Sequence, residues 1–175
     1  MIRLVGGAVV LFLLRVPAAG AQTNPERELA AFAQAAAGNP RSADDIDTKA
    51  ILATIDALFA AFESGDAAVM LRHVYPDGRV TASGRRGDGT TTLRPQSWTQ
   101  FAERVTPQRA FQERIANPMV HVDQDIALVW APFVVRTGGK VSNCGIDHFD
   151  LVRENGMWKV MNLTFSSRPA GCSAQ

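Results

Sequence analysis

The sequence predicts an α+β fold in which helices come first and an antiparallel sheet follows. Apolar residues recur at helical spacing in the first half of the chain, and the period changes to two from Phe111 onward. Two residue pairs, Gly138-Gly139 and Asn155-Gly156, have the composition of two-residue hairpin turns. Helices and strands in separate blocks indicate a layout in which the helices cover one face of the sheet.

The first helix is predicted to begin at Asp44-Asp45, because acidic residues cap and favour helix N-termini. It should end at Ser64-Gly65, where glycine can take the left-handed conformation that stops a helix. Between these limits the apolar residues form one broad face. They are Ile46, Ile51, Leu52, Ile55, Leu58, Phe59 and Phe62.

Two shorter helices are predicted after the first. Asp66 can cap one that reaches about His73. Another should start near Pro95 or Ser97, because Ser97 and Gln100 have the spacing of a capping box.

The strands are predicted from alternation and turn residues. A short strand over 79–83 should lie between a turn at 75–78 and a glycine-rich exposed loop at 84–92. A four-strand meander follows, over about 111–122, 125–137, 140–154 and 157–167.

Length and charge exclude several classes of protein. The chain has 175 residues, which suits one domain with a substantial core, and a formal net charge of +1. This charge provides no electrostatic attraction for nucleic acid or an anionic membrane. The three histidines are scattered without metal-ligand spacing, and no phosphate-binding glycine loop is present. We therefore predict no metal and no cofactor.

Residues 1–21 are typical of a secretory signal peptide. Arg3 gives a positive start, Leu4 to Leu14 form an apolar run, and Ala19-Gly20-Ala21 fits a cleavage site before Gln22. A short membrane-surface helix is the alternative interpretation. Cleavage predicts a periplasmic or secreted protein without a stable membrane anchor. Residues 22–44 are predicted to be a flexible arm with at most one short helix, and residues 45–172 form the folded domain.

The two cysteines are predicted to form a disulfide bond. An even number of cysteines in an exported protein usually indicates a bridge, and Cys144 and Cys172 would close a loop worth roughly 3.5 kcal/mol. Two unrelated free thiols are the alternative, since spacing alone does not fix geometry.

The order of elements resembles that of a known superfamily. A helix, an "ESGD" turn, a short helix, "YPDG" and a meander ending in "GMWKVMNLTFSSR" are similar to nuclear transport factor 2-like proteins, which include ketosteroid isomerase-like and SnoaL-like proteins. "SNCGIDHFDLVRENGMWKV" is most similar to a bacterial branch labelled "putative lumazine-binding". The resemblance covers about residues 45–172. It implies a cone of helices against a curved sheet, an apolar cavity and a homodimer formed through the sheet.

The hairpin turns predict which side chains share a face. With regular strands, Asp147 pairs with Thr164, Phe149 with Asn162, and Trp130 faces Asp147. The helix-covered face would then carry Trp130, Asp147, Phe149, Asn162 and Thr164, while His148 points away from Asp147. A bulge or a one-residue slip would reverse the assignment.

Other placements follow less directly. In the first hairpin, a two-residue Asp123-Gln124 loop would set Asn117 opposite Trp130, and a three-residue loop would set Pro118 there. Tyr75 is expected near the cavity mouth. On the outer face, an apolar stripe of Ile146, Met161, Leu163 and Phe165 would form the dimer contact.

Three functions remain open at this point. The first is an exported protein that binds a small apolar or aromatic molecule, with Trp130, Phe149, Asn162, Thr164 and Tyr75 around it. The second is an isomerase, dehydratase or cyclase with Asp147 as general acid or base. The third is a dimerising structural module with a filled cavity, in which Asp147 only hydrogen-bonds Thr164 or a helix end and Trp130 belongs to the core.

Overall fold

The computed structural model describes residues 26, 27, 29, 30, 33, 45–168 and 172. The chain divides into two units, Met1–Gly38 and Asn39–Gln175. In the first unit, the described residues between 26 and 33 are helical. The predicted signal peptide, residues 1–21, and most of the predicted arm lie outside the described residues. Among those that are described, no helix is long and apolar enough to span a membrane.

The predicted caps of the first two helices are confirmed. Helix α1, Ile46–Ser64, begins after Asp45, whose carboxylate accepts hydrogen bonds from the first backbone N–H groups. It ends at Gly65, which has a φ of 69°. Helix α2, Ala67–Arg72, is capped by Asp66, which accepts a 2.9 Å hydrogen bond from the Val69 N–H.

A β-hairpin replaces the short strand and exposed loop predicted after α2. Strand β1, Val74–Arg85, pairs with strand β2, Thr91–Ser97, so the predicted limits 79–83 and 84–92 are wrong. The predicted capping box is confirmed: Ser97 and Gln100 exchange hydrogen bonds at the start of helix α3, Trp98–Ala102.

Between residues 103 and 168 the chain contains a 3₁₀ turn, Pro107–Arg109, and five strands. They are β3 (Gln112–Ile115), β4 (Met119–Asp123), β5 (Ile126–Thr137), β6 (Lys140–Glu154) and β7 (Met157–Ser167).

The first hairpin of the meander differs from both predicted registers. The predicted strand 111–122 is two strands, β3 and β4, which both pair with β5. Asp123 pairs with Ile126 across a Gln124-Asp125 turn, so Met119 lies opposite Trp130.

The sheet is mixed rather than purely antiparallel. Its order is β2-β1-β7-β6-β5-β3, with β4 also paired to β5, and the β1–β7 pair is parallel. The predicted α+β class, with helices packed on a curved sheet, is confirmed. One face of α1 is fully buried, and the ring centroids of Phe59 on α1 and Phe149 on β6 are 6.1 Å apart.

A β-bulge at Met161 changes the register between β6 and β7. Leu151 pairs with Val160 as predicted, but Asp150 pairs with Asn162, which leaves Met161 as the extra residue. The indole Nε1–H of Trp98 donates a 3.0 Å hydrogen bond to the Met161 carbonyl. The backbone of residue 78 also lies close to this carbonyl and must be glycine, because a Cβ on residue 78 would lie 1.7 Å from the Met161 oxygen.

A second bulge, at Ser142, changes the register between β5 and β6. Arg136 pairs with Val141, whereas Val135 pairs with Asn143. Beyond this bulge every pairing with β5 is shifted by one residue from a regular hairpin, so Trp130 lies opposite His148 instead of Asp147.

Each bulge adds one residue to a strand, so beyond it the residues of one of the two paired strands lie on the face of the sheet opposite to the one predicted from a regular hairpin. Asp147 and Phe149 lie on the helix-covered face as predicted, and both are fully buried. The prediction was wrong for Trp130, Asn162 and Thr164, whose strand positions put them on the opposite face. The predicted outer stripe is also wrong in part, because Leu163 and Phe165 point to the inner face, where they line a cavity.

The predicted disulfide bond is confirmed and the free-thiol alternative is contradicted. Cys144 and Cys172 are joined with an S–S distance of 2.10 Å and a Cα–Cα distance of 5.8 Å. Cys144 also forms an isolated antiparallel bridge with Arg168 just beyond β7. The bond therefore ties the segment after the last strand to the same end of the sheet as Asn143.

Candidate functional site

The inner face of the sheet and the helices above it enclose a cavity of about 240 Å³. Five phenylalanine rings contribute to its wall, so the interior is strongly apolar and aromatic. The cavity is lined by Phe62, Val80, Phe101, Arg109, Phe111, Glu113, Phe133, Val135, Thr137, Asn143, Leu163 and Phe165.

The cavity has an apolar floor and a polar mouth. Val80 and Leu163 are buried and belong to the floor, whereas Arg109 and Thr137 are exposed and mark the opening. Asn143 is half-buried beside them, and its Oδ1 accepts hydrogen bonds from Ser167 and Arg168. A ligand would therefore enter past polar groups and end among aromatic rings.

Glu113 is a buried acidic residue in the cavity wall. It lies on β3 opposite Val135 and its exposed fraction is 6%. Burial raises the pKa of its carboxyl group to about 8. Glu113 was not among the residues predicted to form the site, although its position between Phe111 and Ile115 puts it on an apolar strand face.

Asp147 is a second carboxyl group buried on the inner face. It lies on β6 between Ala131 of β5 and Phe165 of β7, with no exposed surface. Neither carboxyl oxygen has a hydrogen-bond partner among the described residues. Burial raises the pKa of Asp147 to about 9, and the negative charge of Glu113 contributes to the increase.

The missing hydrogen bonds contradict a purely structural role in which Asp147 bonds Thr164 or a helix end. Asp147 does not line the cavity, whereas Glu113 does. The rings of Phe133 and Phe165, which also line it, meet edge to face at 5.9 Å.

The residues predicted to bind a ligand are not brought together. Phe149 belongs to the core and does not line the cavity, and neither does the half-buried Tyr75 on β1. Trp130 is 44% exposed, and Thr164 is also exposed on the outer face. Asn162 donates a 3.3 Å hydrogen bond to Asp150 on that face.

The prediction that His148 points away from Asp147 is confirmed. The Nε2 atom of His148 instead lies 3.3 Å from Oδ1 of Asp150, the next residue on the same strand face. The ring centroids of His148 and Trp130 are 6.0 Å apart. Among the described residues, no group of three or more histidine, cysteine or acidic side chains could hold a metal ion.

A curved mixed sheet with short helices packed over a cavity defines the nuclear transport factor 2-like class of α+β proteins. Within it, the family described as "putative lumazine-binding" matches residues 46–166. The chain belongs to this family, as its sequence predicted.

Solved structures share the fold at low sequence identity. A protein of unknown function from Shewanella baltica is 15% identical with a TM-score of 0.53, covering 74% of this chain and 100% of its own. One from Methylobacillus flagellatus is 23% identical with a TM-score of 0.51, covering 73% and 95%. The β subunit of a "putative aromatic-ring-hydroxylating dioxygenase" from Novosphingobium aromaticivorans is 16% identical with a TM-score of 0.58, covering 73% and 93%. No curated protein matches the chain.

Proposed function

We propose that this protein is an exported small-molecule-binding protein whose ligand is an apolar or aromatic ring compound. The observation that carries the proposal is the pairing of a phenylalanine-lined cavity with the buried Glu113 in its wall. Such a cavity without a ligand forgoes packing contacts, and a buried carboxyl lowers stability. Both features are explained if the site is kept for a ligand.

Glu113 supplies the polar recognition in this proposal. With its pKa raised to about 8, the carboxyl group is protonated at neutral pH and can donate a hydrogen bond to a ligand carbonyl or hydroxyl. Asp147 adds no charge to this recognition, because its pKa of about 9 keeps it protonated at neutral pH.

Blocking the cavity tests the proposal. Val135 lines the mouth and is half-buried, so Val135→Trp should fill the opening. We expect wild-type protein to bind 4-phenylbutan-1-ol with a Kd of about 1 mM, as typical per-atom affinities imply, and the variant to bind at least about tenfold more weakly. Chemical-shift titration by NMR measures both. Val134→Trp is the matched control, because Val134 is half-buried on the opposite face. Equal binding by wild type and Val135→Trp, or none by either, would contradict the proposal.

Proton-transfer catalysis is the second candidate, because a carboxyl group with a pKa of about 8 suits general acid–base chemistry near neutral pH. This candidate moves the acid–base role from Asp147 to Glu113, which faces the cavity. Exchange of α-protons of a cyclic ketone, followed by NMR in D₂O, should then fall at least about a hundredfold in Glu113→Gln and persist in Thr137→Ala.

Export is supported by the tripartite start of the sequence and by the disulfide bond. We expect the mature chain isolated from its native host to begin at or near Gln22, because Ala19-Gly20-Ala21 fits a cleavage site. Intact-mass measurement and N-terminal peptide mapping give the answer. A cytoplasmic chain that retains Met1 would refute export and leave the binding proposal standing.

A homodimer through the outer sheet face is supported by an exposed apolar patch that differs from the predicted stripe. The patch contains Met119, Trp130 and Ile126, which are 53%, 44% and 60% exposed. Such surface is rarely left open to solvent in monomers.

Light scattering at micromolar concentration should give twice the mature mass, and Trp130→Ser should shift the equilibrium to the monomer. The shift is expected because aromatic side chains contribute most to such contacts. Leu93→Ser on β2, which removes a residue 66% exposed outside the patch, is the control. A wild-type mass of one chain would exclude the dimer.

A further inference from the structure

A second groove, of about 320 Å³, lies at the end of the β1–β2 hairpin. Its walls are polar and contain three arginines, in contrast with the phenylalanine cavity. The groove is lined by Ala82, Gly84, Arg85, Arg86, Thr92, Arg94 and Ser167.

The groove continues the cavity along the same face of the sheet. On β1, Val80 lines the cavity, and Ala82 and Gly84 follow at alternate positions and line the groove. On β7, Phe165 lines the cavity and Ser167 the groove, and Ala82 pairs directly with Phe165. Two residues of a strand rise about 7 Å, so the two sites are separated by roughly that distance.

A hydrogen bond joins the two sites at their border. The Ser167 hydroxyl, in the groove, donates to Oδ1 of Asn143, in the cavity mouth, at 3.1 Å. A flexible molecule with its ring in the cavity would pass Asn143 and reach the arginines.

Within the described part of the chain, the positive charge of the groove has no acidic partner. None of Arg85, Arg86 and Arg94 forms an ion pair within residues 45–168. The nearby Asp88 instead accepts hydrogen bonds from the Thr90 N–H and hydroxyl at 2.9 and 2.6 Å. Strand β2 contributes no acidic residue.

The two hydroxyl groups of the groove already donate hydrogen bonds within the protein, so the arginine guanidinium groups are the donors that can bind a ligand. The Thr92 hydroxyl donates to the Gly84 carbonyl at 3.2 Å, and Ser167 donates to Asn143. Ala82 has only a methyl side chain and Gly84 has none, which leaves space for an anion to bind between the arginines. Planar guanidinium groups match the oxygens of phosphate or carboxylate in paired hydrogen bonds.

We propose that the arginine groove binds the anionic group of the same ligand whose ring occupies the cavity. The ligand class is then an aromatic or apolar ring joined by a short chain to a phosphate or carboxylate. The inference rests on the proposed binding function and extends it from an apolar ring compound to an amphipathic anion.

Two probes with the same ring and carbon chain separate the contributions of ring and anion. They are 4-phenylbutan-1-ol and 4-phenylbutyl phosphate, whose four-carbon chain spans roughly the distance between the sites. Wild-type protein in low salt should bind the phosphate at least about tenfold more tightly than the alcohol, because charge-assisted hydrogen bonds are strong. In Arg85→Gln/Arg86→Gln/Arg94→Gln the two probes should bind equally, with the affinity for the alcohol unchanged.

The control variant is Arg72→Gln, which removes an exposed arginine on α2, outside both sites. Arg72→Gln should keep the preference for the phosphate. If the preference came only from the overall charge of the protein, it would fall in Arg72→Gln as well as in the groove variant. Thermal melts show that each variant is folded, which we expect because the substituted side chains are exposed.

The outcomes distinguish failure of the groove from failure of the cavity. If wild type binds the alcohol and shows no preference for the phosphate, the groove inference is wrong and the cavity proposal stands. If the phosphate binds through the arginines but Val135→Trp leaves its affinity unchanged, the shared ligand is refuted and the groove is a separate anion site. If neither probe binds, both proposals fail.

Discussion

Replacing Asp147 with asparagine should stabilise the folded protein at neutral pH by about 2–4 kcal/mol. The carboxyl group is fully buried and unpartnered, so the fold holds it in the protonated form, with a pKa of about 9. In the unfolded chain it ionises near pH 4. At pH 7, keeping the carboxyl protonated in the folded state costs about 1.4 kcal/mol for each unit by which the pH exceeds the pKa in the unfolded chain. Asparagine does not titrate, so the variant is free of this cost.

The pH dependence gives the prediction its sign. Between pH 4 and about 9 the folded state binds more protons than the unfolded state, so the free energy of unfolding is highest below pH 4 and falls as the pH rises. It should level off above about pH 9. Urea denaturation at pH 5, 6, 7 and 8 should give a shallower slope for Asp147→Asn than for wild type.

Glu113→Gln should act in the same direction, because the pKa of Glu113 is also raised by burial. Above about pH 8, where both carboxyls begin to ionise in the folded state, their repulsion should make the effects of the two changes non-additive. Asp56→Asn is the matched control: Asp56 is exposed on α1, and its replacement should change stability by less than about 0.5 kcal/mol. A loss of stability at pH 8 in Asp147→Asn would mean that the carboxylate is ionised and has a partner.

Gly78→Ala should lower the free energy of unfolding by about 4 kcal/mol or more, or prevent folding. An added Cβ would lie 1.7 Å from the Met161 carbonyl oxygen, where only a backbone shift relieves the overlap. That shift would also separate the Trp98 indole from the same oxygen.

Gly87→Ala is the control, because nothing lies within 4 Å of the carbon it would add. Its stability should stay within about 0.5 kcal/mol of wild type. Trp98→Phe, which leaves the Met161 carbonyl without its indole donor, should cost about 1–3 kcal/mol. Wild-type stability in Gly78→Ala would indicate that the Met161 bulge is absent, and the assignment of residues to the cavity face would then be wrong.

The local signals in the sequence predicted the local structure well. Asp45, Gly65 and Ser97 fix helix ends through hydrogen bonds or backbone angles within a few residues, so their roles are visible in a short window. The Gly138-Gly139 and Asn155-Gly156 turns were predicted for the same reason, and the pairs Thr137–Lys140 and Glu154–Met157 close them.

The candidate site could not be predicted, because it depends on contacts between distant parts of the chain. The Met161 bulge is held by Trp98, 63 residues away. A single extra residue moves Asn162 and Thr164 off the inner face and brings Leu163 onto it. Glu113 was missed because its strand is short and its neighbours in sequence are polar.

The parallel pairing of β1 with β7 has a consequence for how the chain folds. The β1–β2 hairpin and the β5–β6–β7 meander are joined in the sheet by this pair. Beside it, the Arg79 backbone N–H donates a hydrogen bond to the side-chain Oδ1 of Asn162, 83 residues away. The contact cannot form until the last strand has been made, and such distant pairings fold slowly. Until then one edge of β1 is free to pair with strands of other chains. Completing the C-terminal end is thus the step that protects the nascent protein from aggregation.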